Sequence, residues 1–392
     1  MKTDQRFTQL DSLRGLAALF VVFLHISLIF PETHLSKLLL EYSPLRLLVS
    51  GSEAVILFFV LSGFVLSRPF YTNSNSNYFT FLIKRILRIY SPYIFAVILS
   101  ILCARIFYQG KIEGLSDWFN VIWTGKISGI VVTDHLLLVK TFLSNLNPVI
   151  WSLVHEMRIS IIFPLIMIFI VKMNWKKGVL FGISLSLLST ILFLTFKVGN
   201  DGVEMINTLH YTSMFVLGAI ISKYFSSITN RVIKMSRIQK FLLFGFGIMM
   251  YIYAKPSFVI ATFIYPDIAP FYRTVLDSWF VAVGSMILIV FSVSSRLFSK
   301  ILTFSPIRYL GKISYSLYLS HILVLVSMFQ LLHGAVPVLL ICLLSLVTSI
   351  AISSLMYHFI ELPSITLSKR LTKKIGTFRN TGSEIVPKSV VK

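Results

Sequence analysis

The chain has 392 residues, of which 56% are hydrophobic and only 13% charged, and its mean hydropathy is +0.83. Soluble domains carry about 25% charged residues, so this composition excludes a water-soluble enzyme or binding module and fits a polytopic membrane protein. A formal net charge of +21 would suit a nucleic-acid binder if it were gathered on one module, but the basic residues are dispersed between apolar runs, which points to membrane topology instead.

The first apolar stretch runs from Asp11 to Phe30. About 20 residues at about 1.5 Å rise match a hydrocarbon core of about 30 Å, and a helix satisfies its own backbone where water is absent. No small-residue cleavage site follows, so the stretch is expected to remain as a span and not to be removed as a signal peptide. It carries three ionisable groups, Asp11, Arg14 and His25. Asp11 and Arg14 can pair at i, i+3. Arg14 and His25, eleven residues apart, return to within about 20° of one face and lie about 16 Å apart along the axis. Ionisable groups in a span face a cavity or a partner and mark function; the plainer alternative has Arg14 snorkelling and His25 bonding a neighbouring helix.

The second span, Val55 to Leu66, follows a carboxylate at Glu53 and contains Ser62-Gly63-Phe64, where glycine permits close helix packing. Lys84, Arg85 and Arg88 then open a span from about Ile89 to Phe107. Arg85 and Arg88 at i, i+3 form a cationic face suited to a phosphate-rich ligand, or alternatively a positive-inside anchor. Residues 108–149 are mixed and read as a loop with one or two surface or re-entrant helices. Further spans are expected at 150–171, 178–196, 210–225, 240–254, 274–293, 313–332 and 336–359, making about ten in an all-α bundle. Residues 1–368 thus form the membrane domain, and 369–392 a basic tail too poor in apolar residues to fold alone. With the N-terminus in the cytoplasm, about 26 Lys and Arg fall on cytoplasmic segments against about nine outside, so both termini are expected there.

Two later segments interrupt the apolar pattern. In Trp151 to Arg158, Ser152 and Glu156 share one helix face at i, i+4, while His155 and Arg158 share another at i, i+3. In Ser314 to His321, a hydroxyl, the Tyr318 phenol and the His321 imidazole follow i, i+4, i+7 along one stripe, where interhelical hydrogen bonding is the competing explanation. Cys103 and Cys342 both lie in apolar runs with no metal-ligand spacing. Walker, dinucleotide, zinc-protease and nucleophile-elbow patterns do not occur.

In order and spacing, LDSLRGLAALFVVFLH at 10–25, FFVLSGFVLS at 58–67, RILRIYSPY at 85–93, WSLVHE at 151–156, ISYSLYLSH at 313–321 and IELP at 360–363 resemble the acyltransferase-three family of bacterial membrane O-acyltransferases. The resemblance covers nearly the whole chain. It implies about ten transmembrane helices that take an acyl group from cytoplasmic acyl-coenzyme A and deliver it to a cell-surface or lipid-linked saccharide in the bacterial inner membrane. It implies that Arg14 and His25 are the essential pair and that Arg85 and Arg88 handle the donor. Where many members continue after the Trp-Ser-Leu-x-x-Glu motif with an aromatic pair, this chain reads Met157-Arg158-Ile159-Ser160. It resembles the branch without an SGNH domain, so transfer is expected to finish within the membrane domain.

On this reading the activity is O-acyl transfer, most simply O-acetyl. His25 is either the general base or a transient acyl carrier, Arg14 stabilises negative charge on the donor, Asp11 orients Arg14, and Glu156 completes the catalytic set. Arg85, Arg88, Ser62 and Tyr318 are assigned to acyl-coenzyme A, which is a substrate; no permanently bound cofactor, metal or nucleic acid is expected. Trp151, Ser152, His321 and Glu361 are further candidates. The rival reading is a glycolipid or polysaccharide transporter, since intramembrane charges also suit a translocation path. Against it, the chain shows no internal duplication.

Overall fold

The computed structural model describes residues 7–72, 78–125, 145–196 and 200–382, together with Gly129, Thr133, His135 and Leu138. Every regular element among them is a helix. The long helices are α1 (Thr8–Leu28), α2 (Gly51–Tyr71), α3 (Tyr78–Phe107), α4 (Ile150–Ile170), α5 (Trp175–Thr195) and α6 (Asn200–Lys234). They continue with α7 (Arg237–Ile252), α8 (Pro256–Phe263), α9 (Pro270–Ser294), α10 (Ser305–Leu332), α11 (Val338–Met356) and α12 (Leu362–Gly382). Among the described residues nine helices are long and apolar enough to cross a membrane, or ten if α7 and α8, bent by 55° at their junction, form one span. The chain is a multi-pass membrane protein.

Several helices outrun the apolar segments that announce them. α3 begins at Tyr78 and α6 covers Asn200–Lys234, so Arg85 and Arg88 lie inside α3 and do not open it. The span limits expected at Ile89 and at 210–225 are corrected accordingly. Hydropathy falls where charges enter, but a helix continues through them when the charges find partners inside the bundle. At the other extremity, α11 passes through a π-helical turn, Tyr357–Glu361, into α12, so a domain boundary at 368 would cut a continuous helix. Residues 383–392 of the expected tail lie outside the described residues. Of the 108–149 segment, one short helix, Asp117–Asn120, is described.

Two helix pairs frame the centre. α1 packs along α10 in parallel, and α2 along α6. The α1–α10 seam is backbone on backbone: a Cβ on Gly15 would stand 2.4 Å from Gly311 N, and one on Gly311 would stand 2.6 Å from the Asp11 carbonyl oxygen. No side chain fits at either position, so the two glycines set both the separation and the register of the pair. Gly63 plays the packing part expected of it, since a Cβ there would meet the Phe215 carbonyl oxygen at 2.1 Å. Below, the end of the bundle where α1 begins is the near end, and the end where α1 stops is the far end. Glu53 is buried at the far end, at the start of α2, where it pairs with Arg46 and, at 3.3 Å, with Lys255.

Candidate functional site

At the near end the charged side chains converge from three helices, α1, α3 and α4, and from the π-helical turn that follows α11. Arg14 Nη1 lies 3.4 Å from Asp11 Oδ1, the i, i+3 pair expected on α1. Around that guanidinium stand the charges of Arg88 and Arg85 from α3 and of Glu156 from α4. Arg85 is committed inside the bundle: its Nη2 is ion-paired with Glu156 Oε1, and its Nε donates to Ser160 Oγ at 3.0 Å. Ser62 of α2 donates to the same Glu156 oxygen at 3.0 Å. Ser160 therefore supplies a hydroxyl that holds Arg85 against Glu156.

Arg88, one turn further along α3, is exposed and makes no hydrogen bond or ion pair among the described residues. The expected two-arginine face is thus divided, with Arg85 spent on Glu156 and Arg88 open. Glu361, in the π-helical turn, is buried, accepts a 2.7 Å hydrogen bond from Ser316 Oγ, and shares its electrostatic neighbourhood with Arg88 and Arg14. Tyr315 OH donates to the Ile89 carbonyl at 2.8 Å and closes the cluster from α10.

The far end holds a different arrangement. The α1–α10 register that brings Gly15 to Gly311 brings His25 to His321 ten residues later, with His25 Nδ1 3.0 Å from His321 Nε2. His321 Nδ1 lies 2.9 Å from the Leu317 carbonyl of its own helix. His25 sits in the last turn of α1, nearer the helix end than its place in the apolar run suggests. Trp118 stacks on its ring, with centroids 5.3 Å apart and planes 17° apart. That indole is placed by Ser116, whose backbone N–H donates to the Ile29 carbonyl at 2.8 Å and whose hydroxyl donates to the Leu28 carbonyl at 2.5 Å. The carbonyls left over at the end of α1 thus hold the connector that covers His25.

One turn below His321, Tyr318 OH donates to the Val149 carbonyl at 3.1 Å and lies 2.7 Å from Ser152 Oγ. Asn147 Nδ2 donates to the Leu319 carbonyl at 2.9 Å. Trp123, with a left-handed backbone (φ 67°), is fixed through its N–H to Asn145 O at 2.8 Å and through its indole to Leu146 O at 3.1 Å. The connector before α4 is therefore strapped across the far end.

The structure regroups the residues read from the sequence. Arg14 belongs to the near-end charges, about 16 Å of helix rise from His25. Tyr318 and Ser152 belong with the histidine pair and not with the arginines, whereas Ser62 joins Glu156 and Arg85 in the near-end cluster. Trp151 packs on the opposite face of α4, against His155 and Tyr211, with ring centroids at 5.7 and 5.9 Å. There His155 Nδ1 is 2.8 Å from Thr208 Oγ1, His155 Nε2 is 3.0 Å from Glu204 Oε2, and Arg158 donates to Thr208 Oγ1 at 3.0 Å. The two faces anticipated for α4 are real, and they serve two separate polar networks. Trp118, Glu204 and Thr208 were not singled out from sequence. The Ser116-Asp117-Trp118 start of a short helix was the available signal for Trp118, whereas nothing local marks the other two.

A family model described as an acyltransferase domain matches residues 7–358. The chain belongs to the acyltransferase-three family. It is 24% identical to the O-acetyltransferase OatA of Staphylococcus aureus over 95% of this chain and 60% of that protein. It is also 30% identical to Protein 2 in the picA locus of Rhizobium radiobacter, over 41% of this chain and 81% of that one. The chain therefore spans well under two thirds of the length of the OatA proteins it matches. No solved structure matches it. The chain is thus a multi-pass membrane protein built around an acyltransferase domain.

Proposed function

We propose that this acyltransferase moves an acetyl group from acyl-coenzyme A, held at the near end, to a saccharide hydroxyl presented at the far end. In this reading the near end is cytoplasmic, both termini lie on that side of a bacterial inner membrane, and the acceptor is a cell-surface or lipid-linked glycan. The observation that carries it is the pair of polar groups set in an apolar bundle, with Arg88, Arg14, Arg85 and Glu156 gathered toward one end and a histidine covered by Trp118 at the other. Intramembrane charges on one path are costly and persist where they serve a substrate. The orientation rests on the lysine and arginine asymmetry, and acetyl on the printed name of the OatA relatives.

Arg88, with its donors uncommitted, takes a phosphate of the donor through a forked contact. Arg14, oriented by Asp11, adds positive potential along the same path, and the thin arm of the donor extends toward His25. His25 removes the proton from the acceptor hydroxyl as its oxygen attacks the thioester carbonyl. Collapse of the tetrahedral adduct breaks the carbon–sulfur bond, and the departing thiolate takes that proton back from the imidazolium. One ester and one free thiol result.

The test is transfer from radiolabelled acetyl-coenzyme A by the purified protein in lipid nanodiscs, with saccharide fractions as acceptor. Free thiol should appear in equal amount to acceptor label. Movement of saccharide across vesicle membranes without thiol release would replace this reading with a transporter.

A further inference from the structure

The hydrogen-bond partners around the two histidines can be assigned one after another. The Leu317 carbonyl only accepts, so His321 Nδ1, 2.9 Å away, carries a proton. Neither ring touches a carboxylate among the described residues, and His321 is fully buried, so a charged ring would have no counter-ion there. A neutral imidazole has one N–H, which leaves a lone pair on His321 Nε2. His25 Nδ1, 3.0 Å from that lone pair, must then donate to it. The lone pair of His25 is thereby confined to Nε2, which has no hydrogen-bond partner among the described residues.

We infer that His321 is a positioning residue that fixes the tautomer and ring orientation of His25, so that Nε2 is the nitrogen presented to the acceptor hydroxyl. The inference rests on the proposed base role of His25 for its meaning, but the tautomer itself stands on geometry alone. Free in water, an imidazole exchanges its two tautomers and rotates about its side-chain bonds. Here the Leu317 carbonyl fixes one proton, that proton fixes the next, and Trp118 stacked at 5.3 Å holds the plane of the ring. The relay ends on a helix carbonyl and not on a carboxylate, so it orients the base without adding negative charge behind it. The glycine contact between α1 and α10 sets the alignment on which the relay depends.

The experiment compares His321→Gln with His321→Phe in protein labelled with nitrogen-15 at histidine. The His25 signal is identified as the one absent from His25→Ala. The Gln amide oxygen accepts from His25 Nδ1 as the imidazole did, so His321→Gln should keep the Nδ1–H form and retain turnover within a few-fold. Phe fills the site without an acceptor; His321→Phe should show a mixture of tautomers and lose about 10–100-fold in kcat with unchanged acyl-coenzyme A affinity. An unchanged Nδ1–H signal in His321→Phe overturns the inference, as does equal loss of kcat in both variants with both folded. Near-normal turnover in His25→Ala would instead remove the base role while leaving the tautomer result to be read on its own.

Discussion

Two histidine clusters lie in this bundle, and they are built to opposite ends. His155 has a polar side chain beside each ring nitrogen: Thr208 hydrogen-bonds Nδ1, the Glu204 carboxylate stands 3.0 Å from Nε2, and Arg158 joins the same Thr208 hydroxyl. His25 has one partnered nitrogen and one left over, in a setting of histidine, tryptophan and carbonyl groups without a carboxylate in contact. A side chain enclosed by the fold's own polar groups holds helices together, whereas one with a nitrogen that faces none of them can meet a substrate. The difference lies in neighbours alone, since both residues are imidazoles in apolar helices.

The comparison breaks most sharply if the two histidines respond alike. His25→Ala should lower the transfer rate by about 10²–10⁴-fold while donor affinity is retained. His155→Ala should leave turnover nearly intact and instead cost about 1–3 kcal/mol of stability, read as a lower midpoint of thermal unfolding in detergent. Comparable loss of turnover in both variants, with both folded, would erase the distinction.

A smaller effect sharpens the contrast between the two arginines of α3. Glu156→Ala leaves Arg85 without its carboxylate in a largely buried place, which should cost about 3 kcal/mol in unfolding experiments. Glu156→Gln keeps an acceptor for Ser62 and should recover part of it. Arg88→Ala should spare stability and raise the donor KM by about tenfold, a loss of about 1.4 kcal/mol. Arg88→Lys should recover only part, because a point charge cannot fork. Full recovery by lysine would reduce Arg88 to a topological anchor. The mildest change is at Trp118. Trp118→Phe should keep the stack, and Trp118→Ala should lower kcat by about 2–10-fold through a loosened His25 ring, consistent with about 0.5–1.5 kcal/mol for an aromatic contact.

What the sequence revealed follows from how far apart the interacting residues stand. Helical spacing within one segment was enough for the Asp11–Arg14 pair and for the division of α4 into a Ser152–Glu156 face and a His155–Arg158 face. The meeting of His25 with His321 spans 296 residues, and no local periodicity carries that information. Hydropathy also started α3 too late, because it scores Arg85 as a charge in lipid when Glu156 and Ser160 receive it inside the protein. Trp118 escaped notice for a different reason: four residues of helix in a connector have no face to read.

The parallel seam between α1 and α10 has a consequence for how the enzyme comes into being. α1 precedes its partner helix α10 in the chain by most of the other spans, so α10 is made only after α2 to α9 have followed. Until then His25 has no imidazole opposite it, and the glycine face of α1 waits uncovered in the lipid. Helices that insert singly and associate afterwards make such an order possible. A ribosome stalled before α10 therefore leaves a fragment that carries the whole Asp11 to His25 segment and yet has no paired His25. On the proposed mechanism, competence to react arrives only once α10 has been made and docked against α1.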